Sequence, residues 1–189
     1  MKRIVFATNN AHKLSEVKAV LGDGYELVTL REVGITEDNP ETGATLDEIA
    51  SIKGRYVFER TGLDCFADDT GLEVEALDGA PGVHSARYAT DGHDFAANNA
   101  KLLRELAGKE NRRARFRTVI SLIRNGVEEQ VEGIVEGRIA TTMTGSEGFG
   151  YDPLFIPEGY DKSFAEMSAE EKNAISHRGR AVEALVKIL

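Results

Sequence analysis

Two adjacent carboxylates, Asp68 and Asp69, are the sharpest chemical signal in the sequence. They follow the hydrophobic run 63–67 and precede Thr70–Gly71, so we expect them at the end of a strand. Side chains at consecutive strand positions diverge, which predicts different tasks for the two acids. One carboxylate can hold Mg²⁺ while the other positions or deprotonates a water molecule. The alternative is an Asx turn with both acids in solvent.

Residues Thr8, Asn9 and Asn10 lie between a short strand pattern and a helical pattern. A turn of this kind directs free backbone N–H groups and the positive end of the helix dipole outward, which suits an anion. Lys13 falls within the first helical turn, where a cation is unfavourable unless an anion neutralises it. The sequence therefore predicts an anion site here, with simple helix capping and a solvated lysine as the alternative.

Lys53 lies on the apolar stripe of a second predicted helix, 45–61. The other members of that stripe are Leu46, Ile49 and Val57. A lysine in such a stripe either extends its amine to the helix edge or serves a site at the rim of a cleft. Both interpretations stay open at this point.

A glycine-rich segment carries two aromatic residues, Phe149 and Tyr151, just before Asp152. Aromatic rings in a loop either cover a flat ligand, where stacking on a base contributes about 1–3 kcal/mol, or pack into the core. Further along, His177 and Arg178 begin the last predicted helix beside free N–H groups. Because cations repel that end of the helix dipole, their position indicates an electronegative ligand.

The elements that position these residues alternate between strands and helices. Apolar and β-branched runs predict strands over 3–7, 25–30, 63–67, 72–76, 116–124, 127–139 and 154–156. Helical spacing predicts a first helix through Leu14, Val17 and Leu21 that stops at Gly22, and further helices over 45–61 and 94–106. Capping residues predict one more helix after Ser168 and a final one after Ser176, whose inward residues are Val182, Leu185, Val186 and Leu189. Asn125–Gly126 predicts a hairpin turn. This mixture favours an α/β or α+β fold with a mixed sheet.

Composition narrows the class of protein. The 189 residues carry a net charge of −9 and are 41% hydrophobic, which excludes a disordered chain and disfavours a general binder of nucleic acid. The run Arg113, Arg115 and Arg117 is expected to form a solvated or subunit-facing strand surface. The single cysteine, Cys65, excludes an intrachain disulfide and is expected to be a buried apolar residue. No apolar run reaches the length of a membrane span and none suits a signal peptide, so we expect a cytoplasmic protein without a membrane partner.

Taken together, these segments resemble the inosine or xanthosine triphosphate pyrophosphatases, enzymes that act on non-standard purine nucleotides. The matching segments, in the family's order, are 7–10 with Lys13, 41–43, Lys53, 66–72, 79–82 with 85–88, 148–153, 171–172 and 176–179. They cover nearly the whole chain. One departure is Ile49, which stands where bacterial relatives usually have asparagine between glutamate and alanine.

The resemblance implies hydrolysis of ITP, dITP and XTP to the nucleoside monophosphate and pyrophosphate, dependent on Mg²⁺, with Mn²⁺ equally suited to oxygen ligands. It implies that Asp69 is the general base and a metal ligand, that Glu41 is the other metal ligand, and that Asp68 supports the site. The residues implied to contact the triphosphate or sugar are Thr8, Asn9, Asn10, Lys13, Lys53 and Thr70. Those implied to surround the base are Phe149, Gly150, Tyr151, Asp152, Lys172, His177 and Arg178.

The family's fold, as implied by the resemblance, is an α/β structure built on an elongated mixed sheet with two lobes and a central substrate cleft. The whole chain, residues 1–189, is expected to form a single domain of this kind. The resemblance also implies a homodimer. The expected partners are thus a purine nucleoside triphosphate and a second copy of the chain, with no nucleic acid and no membrane.

Overall fold

The structure is a computed structural model that describes residues 2–37 and 42–189. Within these residues the strands are β1 (Lys2–Phe6), β2 (Tyr25–Val28), β3 (Cys65–Val74), β4 (Pro81–Gly82), β5 (Arg113–Arg124), β6 (Val127–Ile139) and β7 (Phe155–Pro157). The α-helices are α1 (Ala11–Leu21), α2 (Leu46–Thr61), α3 (Phe95–Glu105), α4 (Ala169–Ile175) and α5 (His177–Ile188). The predicted mixed α/β class is confirmed.

The strands form a mixed sheet in the order β2-β1-β3-β5-β6-β7, with β4 paired to β3 outside that path. β1 runs parallel to β2 and to β3, where Val5 is the partner of Cys65. β3 and β4 are antiparallel, and so are β6 and β7. Parallel pairs need a crossover connection, and α1 supplies the one between β1 and β2.

The prediction that Asp68–Gly71 separates two strands is wrong. Strand β3 is continuous from Cys65 to Val74, so the two acids lie in its middle and not at a strand end. Its first residues pair with β1, and Leu72 pairs with Gly82 of β4. Because a sheet is held by backbone N–H and C=O groups, polar side chains do not end a strand whose backbone has partners on either side.

Two compact units divide the chain. Unit 1 takes the described residues of Met1–Asp69, Thr118–Gly133 and His177–Leu189, and unit 2 takes Thr70–Arg117 and Ile134–Ser176. Each unit has its own apolar core. In unit 1, Phe6 and Phe66 stack with ring centroids 4.6 Å apart, and α1 packs against α5. Fully buried Val182 and Leu185 of α5 belong to the same core.

The core of unit 2 is centred on three phenylalanines. Phe155 lies 4.6 Å from Phe116 and 5.2 Å from Phe164, measured between ring centroids. Apolar residues of β3, α3 and β6 complete this cluster. Ring pairs at such distances add to the stabilisation that their burial provides.

Local signals at the ends of elements confirm most of the predicted boundaries. Asn125 and Gly126 both have positive φ, 52° and 78°, as the predicted hairpin turn between β5 and β6 requires. Ser168 forms the predicted capping box with Glu171 at the start of α4. The inward position predicted for Val186 is wrong, because its side chain is 40% exposed. In the described part of the chain, none of the helices combines the length and the apolar character needed to cross a bilayer.

Candidate active site

Asp68 is the centre of a buried group of charges in unit 1. Its side chain is 2% exposed, and its carboxylate lies between two cations. Lys13 Nζ is 3.2 Å from Oδ1, and Arg178 Nε is 3.5 Å from Oδ2. The guanidinium of Arg178 also pairs, through Nη1, with the carboxylate of Glu16. Helices α1 and α5 thereby supply the groups that surround one acid of β3.

The electrostatic balance keeps Asp68 ionised. Burial by itself raises the pKa of a carboxyl group, but Lys13, Arg178 and Lys53 together outweigh it, so the pKa of Asp68 lies below its ordinary value. Burial lowers the pKa of Lys13, and the nearby charges of Lys53 and Arg178 add to that effect while Asp68 opposes it. Lys13 and Asp68 thus favour each other's charged forms inside unit 1.

Lys53 connects the two acids. Its side chain on α2 is buried, with Leu46, Ile49 and Val57 buried on the same stripe, so the alternative in which its amine extends to the helix edge does not hold. Lys53 Nζ donates to the backbone oxygen of Asp68 at 3.2 Å and to Oδ1 of Asp69 at 3.4 Å.

Asp69 differs from Asp68 in its accessibility. Its side chain is 14% exposed, whereas that of Asp68 is 2% exposed. The two residues are consecutive in β3, so their side chains leave the strand in different directions. Asp69 is consequently the more accessible of the two acids.

The turn before α1 uses two of its three polar residues for capping. Asn10 is the N-cap, and its Oδ1 accepts from His12 N at 2.9 Å and from Lys13 N at 3.3 Å. Thr8 Oγ1 accepts from Asn10 N at 3.1 Å. Asn9 is exposed between them. Capping is therefore realised for Thr8 and Asn10, and an anion-binding role for the three stays a prediction.

Arg178 reaches Asp68 because α5 packs unusually close to β6 at Gly133. A Cβ atom on Gly133 would lie 2.1 Å from the backbone oxygen of His177 and 2.4 Å from the backbone nitrogen of Ala181. Both are backbone atoms, so no side-chain adjustment would make room. His177 and Arg178 are buried, 3% and 2% exposed, at this start of the helix.

Unit 2 holds a second buried charge pair. Lys172 of α4 and Asp152 are 4% and 3% exposed, and Lys172 Nζ lies 2.7 Å from Asp152 Oδ2. The same oxygen accepts from Phe149 N at 3.0 Å. A Cβ on Gly148 would lie 2.1 Å from Asp152 Oδ2, so the carboxylate closes the loop only because residue 148 is glycine.

The two loop aromatics have different environments. Phe149 is half-buried, with its ring 6.1 Å from that of Phe95 and 5.0 Å from Lys172 Nζ. Tyr151 packs into the core of unit 2, and its hydroxyl donates to the backbone oxygen of Ser85 at 2.6 Å. Burial raises the pKa of Tyr151, so it remains a neutral donor. Packing into the core thus describes Tyr151, and Phe149 retains partial access.

The structure distributes the predicted site residues between the units. Unit 1 contains Thr8, Asn9, Asn10, Lys13, Lys53, Asp68, Asp69, His177 and Arg178, and unit 2 contains Thr70, Phe149, Gly150, Tyr151, Asp152 and Lys172. Arg178, predicted to be near the base, binds Asp68 and Glu16. Glu41, the other predicted metal ligand, lies outside the described residues. Sequence reasoning missed Glu16, whose position one helical turn after Lys13 was the available signal.

A divalent cation is compatible with the donors at Asp69. Across residues 2–37 and 42–189, no group of three or more His, Cys, Asp and Glu side chains is arranged to hold a metal ion. Mg²⁺, however, is usually bound by one or two carboxylates together with water and substrate phosphates. Asp69 can provide one such carboxylate, whereas both oxygens of Asp68 face cations.

Two other sequence features have ordinary explanations. Arg113 and Arg115 of β5 pair with Glu75 and Glu73, at 3.6 and 2.6 Å, so their charges are balanced within unit 2. Cys65 is buried and its Sγ lies 3.5 Å from the backbone oxygen of Gly54. Burial raises the pKa of this thiol to about 12, which removes it as a nucleophile at neutral pH.

Comparison with known proteins gives consistent results over the full chain. The model of the Ham1 family matches residues 4–188. A protein of Porphyromonas gingivalis named dITP/XTP pyrophosphatase is 55% identical, over 98% of this chain and 96% of its own. A protein of the same name from Christiangramia forsetii is 50% identical, over 99% of this chain and 98% of its own. The solved structure of a HAM1 protein from Coxiella burnetii matches with a TM-score of 0.91 and 39% identity, covering 100% of this chain and 98% of that one.

Proposed function

The chain belongs to the Ham1 family, and from this premise we propose that it hydrolyses ITP, dITP and XTP to the nucleoside monophosphate and pyrophosphate. The relatives named dITP/XTP pyrophosphatase support this reaction. The observation that carries the proposal is the convergence of Lys13, Lys53 and Arg178 on the acid pair of β3. Such an enzyme would remove deaminated purines from the nucleotide pool.

The charges in unit 1 suit a triphosphate. This ligand carries about four negative charges at neutral pH, and a water molecule must approach a phosphorus atom among them. Lys13 and Lys53 neutralise part of that charge, and Thr8, Asn9, Asn10 and Thr70 are proposed to contact the phosphates or sugar. Asp68, ionised and enclosed by cations, fixes the positions of Lys13 and Arg178.

Asp69 is the proposed general base. Its carboxylate is the more exposed of the two, and Lys53 holds one of its oxygens at 3.4 Å. A carboxylate in that position can accept a proton from the attacking water and orient the water toward the phosphorus atom. We propose that Asp69 and Glu41 also hold Mg²⁺, with Mn²⁺ as the alternative. When bound, the ion supplies charge neutralisation at the phosphate oxygens.

Recognition of the base is assigned to the residues that the family resemblance implies to surround it. Phe149 offers a partly accessible ring for stacking, and Gly150, Tyr151, Asp152 and Lys172 form its loop and the support of that loop. His177 and Arg178 are proposed as donors to the oxygen at position 6 of hypoxanthine or xanthine. Adenine has an amino donor there, and unpaired buried donors can reject a ligand by about 10⁴-fold or more.

The proposal extends to the domain organisation, the oligomeric state and the cellular location of the protein. We propose that both units form a single catalytic domain spanning residues 1–189, since one family model matches across both. We also propose a homodimer, which sedimentation equilibrium would test. Hydrolysis of nucleoside triphosphates indicates the cytoplasm, where the nucleotide pool is found, and requires neither a nucleic-acid nor a membrane partner.

Pyrophosphate release tests the reaction and its selectivity together. The substrates are ITP, dITP, XTP, ATP and GTP, each with Mg²⁺, with EDTA, and with Mg²⁺ restored after EDTA. We expect fast release from ITP, dITP and XTP, loss of activity in EDTA, and recovery when the metal is restored. Equal kcat/KM for ATP and ITP would contradict the proposed selectivity, and no release from any nucleotide would contradict the reaction.

A further inference from the structure

Asn99 of α3 is a buried amide that holds the loop assigned to the base. Its side chain is 3% exposed. Nδ2 donates to the backbone oxygen of Phe95 at 2.9 Å and to that of Gly150 at 2.9 Å. Because both hydrogens of Nδ2 are directed at carbonyl oxygens, the orientation of the amide is defined by its partners.

The Phe149–Gly150 segment is held at its backbone and at its ring by neighbours in unit 2. Asp152 Oδ2 accepts from Phe149 N at 3.0 Å, and Asn99 binds the oxygen of Gly150. The ring of Phe95, one helical turn before Asn99, lies 6.1 Å from the ring of Phe149. The first turns of α3 therefore provide both a polar and an aromatic contact to one short segment.

Restraint of this kind matters because Phe149 lies between two glycines. Gly148 and Gly150 both have positive φ, +75° and +61°. Glycine has access to more backbone conformations than any other residue, so an unrestrained ring between two glycines would sample many orientations. Fixing the backbone before the ligand arrives lowers the conformational entropy lost on binding.

The other end of the amide carries a cost in free energy that its hydrogen bonds must offset. Asn99 Oδ1 is buried and accepts no hydrogen bond from residues 2–37 or 42–189. A buried acceptor of this kind costs free energy, and leucine, which has nearly the same shape, would avoid that cost but would leave the oxygen of Gly150 without this donor. The presence of an amide is accounted for by its two donated hydrogen bonds.

We propose that Asn99 is a positioning residue for base recognition, which sets the ring of Phe149 for stacking by holding the carbonyl of Gly150. This inference rests on the proposed function. Asn99 acts through the loop, so its loss is expected to weaken binding of the base and to leave binding of the phosphates unchanged.

The test compares Asn99→Leu with Lys101→Met. Lys101 lies on the same helix and its Nζ donates to the backbone oxygen of Tyr88, at the same 2.9 Å but in a different loop. For each protein we would measure kcat and KM for ITP, the inhibition constant of inosine, and that of tripolyphosphate, which has no base. Circular dichroism establishes that each variant is folded, and Asn99→Ala replaces Asn99→Leu if the latter does not fold.

In Asn99→Leu we expect the KM for ITP and the inhibition constant of inosine to rise about tenfold, as the loss of the hydrogen bond to the oxygen of Gly150 predicts. We expect kcat to stay within about threefold, tripolyphosphate inhibition to be unchanged, and Lys101→Met to match the wild type. An unchanged inosine constant overturns the role of Asn99. An equal rise for tripolyphosphate does so too, because general loss of structure affects both ligands.

The outcome also separates this inference from the function on which it rests. A wild-type protein that releases no pyrophosphate from ITP overturns the proposed function and the role of Asn99 with it. Wild-type turnover together with an unchanged inosine constant in Asn99→Leu overturns the role of Asn99 alone.

Discussion

At the scale of single residues, the two acids of β3 share a strand but not an environment. Asp68 is enclosed by Lys13 and Arg178, whereas Asp69 is more exposed and contacts Lys53. The cations around Asp68 keep it ionised, and ion pairs on both of its oxygens leave it little freedom to accept a proton from water. The difference in environment therefore supports the proposal that Asp69 is the base and that Asp68 organises the cations.

Substitution of each acid by its amide should separate these roles. Asp69→Asn removes the proposed base, so we expect kcat for ITP to fall by about 10²–10⁴-fold with KM little changed. Asp68→Asn leaves Lys13 and Arg178 buried without their shared counter-charge, so we expect the free energy of unfolding to fall by about 3–5 kcal/mol. Steady-state kinetics and urea denaturation measure the two effects. A near-wild-type kcat in Asp69→Asn would contradict its assignment as base.

Cys65 provides a pH-dependent prediction. Its pKa is 9.0 in ordinary surroundings and is raised by burial to about 12 in the folded chain. The unfolded thiol loses its proton first as pH rises, so Cys65 reduces the free energy of unfolding above pH 9.0, by up to about 1.4 kcal/mol per pH unit. This loss continues until the folded thiol also ionises near pH 12.

Two measurements check the behaviour of Cys65. The native protein should react with a thiol reagent at pH 8 far more slowly than the urea-unfolded protein. Between pH 8 and pH 10.5, stability should decline less in Cys65→Ala than in the wild type. Rapid labelling of the native thiol would show that Cys65 is accessible and would contradict both expectations.

At the scale of elements, α5 can supply Arg178 only because β6 has no side chain at Gly133. A Cβ there would lie 2.1 and 2.4 Å from backbone atoms of the helix. We expect Gly133→Ala to displace α5 and to lower the free energy of unfolding by about 1–3 kcal/mol. Activity on ITP should fall as well, because the displaced helix carries His177 and Arg178.

Gly24→Ala is the matched control for Gly133→Ala. Nothing lies within 4 Å of a Cβ at Gly24, so the same added methyl group meets no obstacle. Thermal unfolding and ITP kinetics of the two variants should therefore diverge. Equal behaviour of both would show that the close approach at Gly133 does not restrict the helix.

Elements defined by local chemistry could be predicted, and those defined by distant partners could not. The Asn125–Gly126 turn and the capping box at Ser168 depend on residues next to one another, and both were predicted correctly. The continuity of β3 depends on pairing with β1 and β4, which come from other parts of the sequence. No local pattern around Asp68–Gly71 reports those partners.

At the scale of the whole molecule, the charged cluster joins parts of the chain that are far apart. Arg178 is 110 residues from Asp68 and 162 residues from Glu16. Lys53 could be singled out because it is a charged residue on the apolar stripe of its own helix. Glu16 was missed, because a glutamate one helical turn after a lysine is ordinary until its partner Arg178, from a distant part of the sequence, is known.

The C-terminal helix should therefore be indispensable. A chain that stops after Ser176 lacks Arg178 and the buried residues Ala181, Val182 and Leu185. We expect it to lose the fold of unit 1 and all activity on ITP, as judged by circular dichroism and pyrophosphate release. A chain lacking Leu189 alone is the control and should retain both. Full activity in the shorter chain would contradict the importance assigned to α5.

The contribution of α5 to the charged cluster of unit 1 also has a consequence for biosynthesis. The strands and helices that hold Lys13, Lys53 and Asp69 are made before the arginine that encloses Asp68, which follows that acid by 110 residues. The nascent polypeptide cannot complete its acid–cation cluster before Arg178 has been synthesised. A nucleotide hydrolase built in this order acquires its charge arrangement only after α5 has been synthesised.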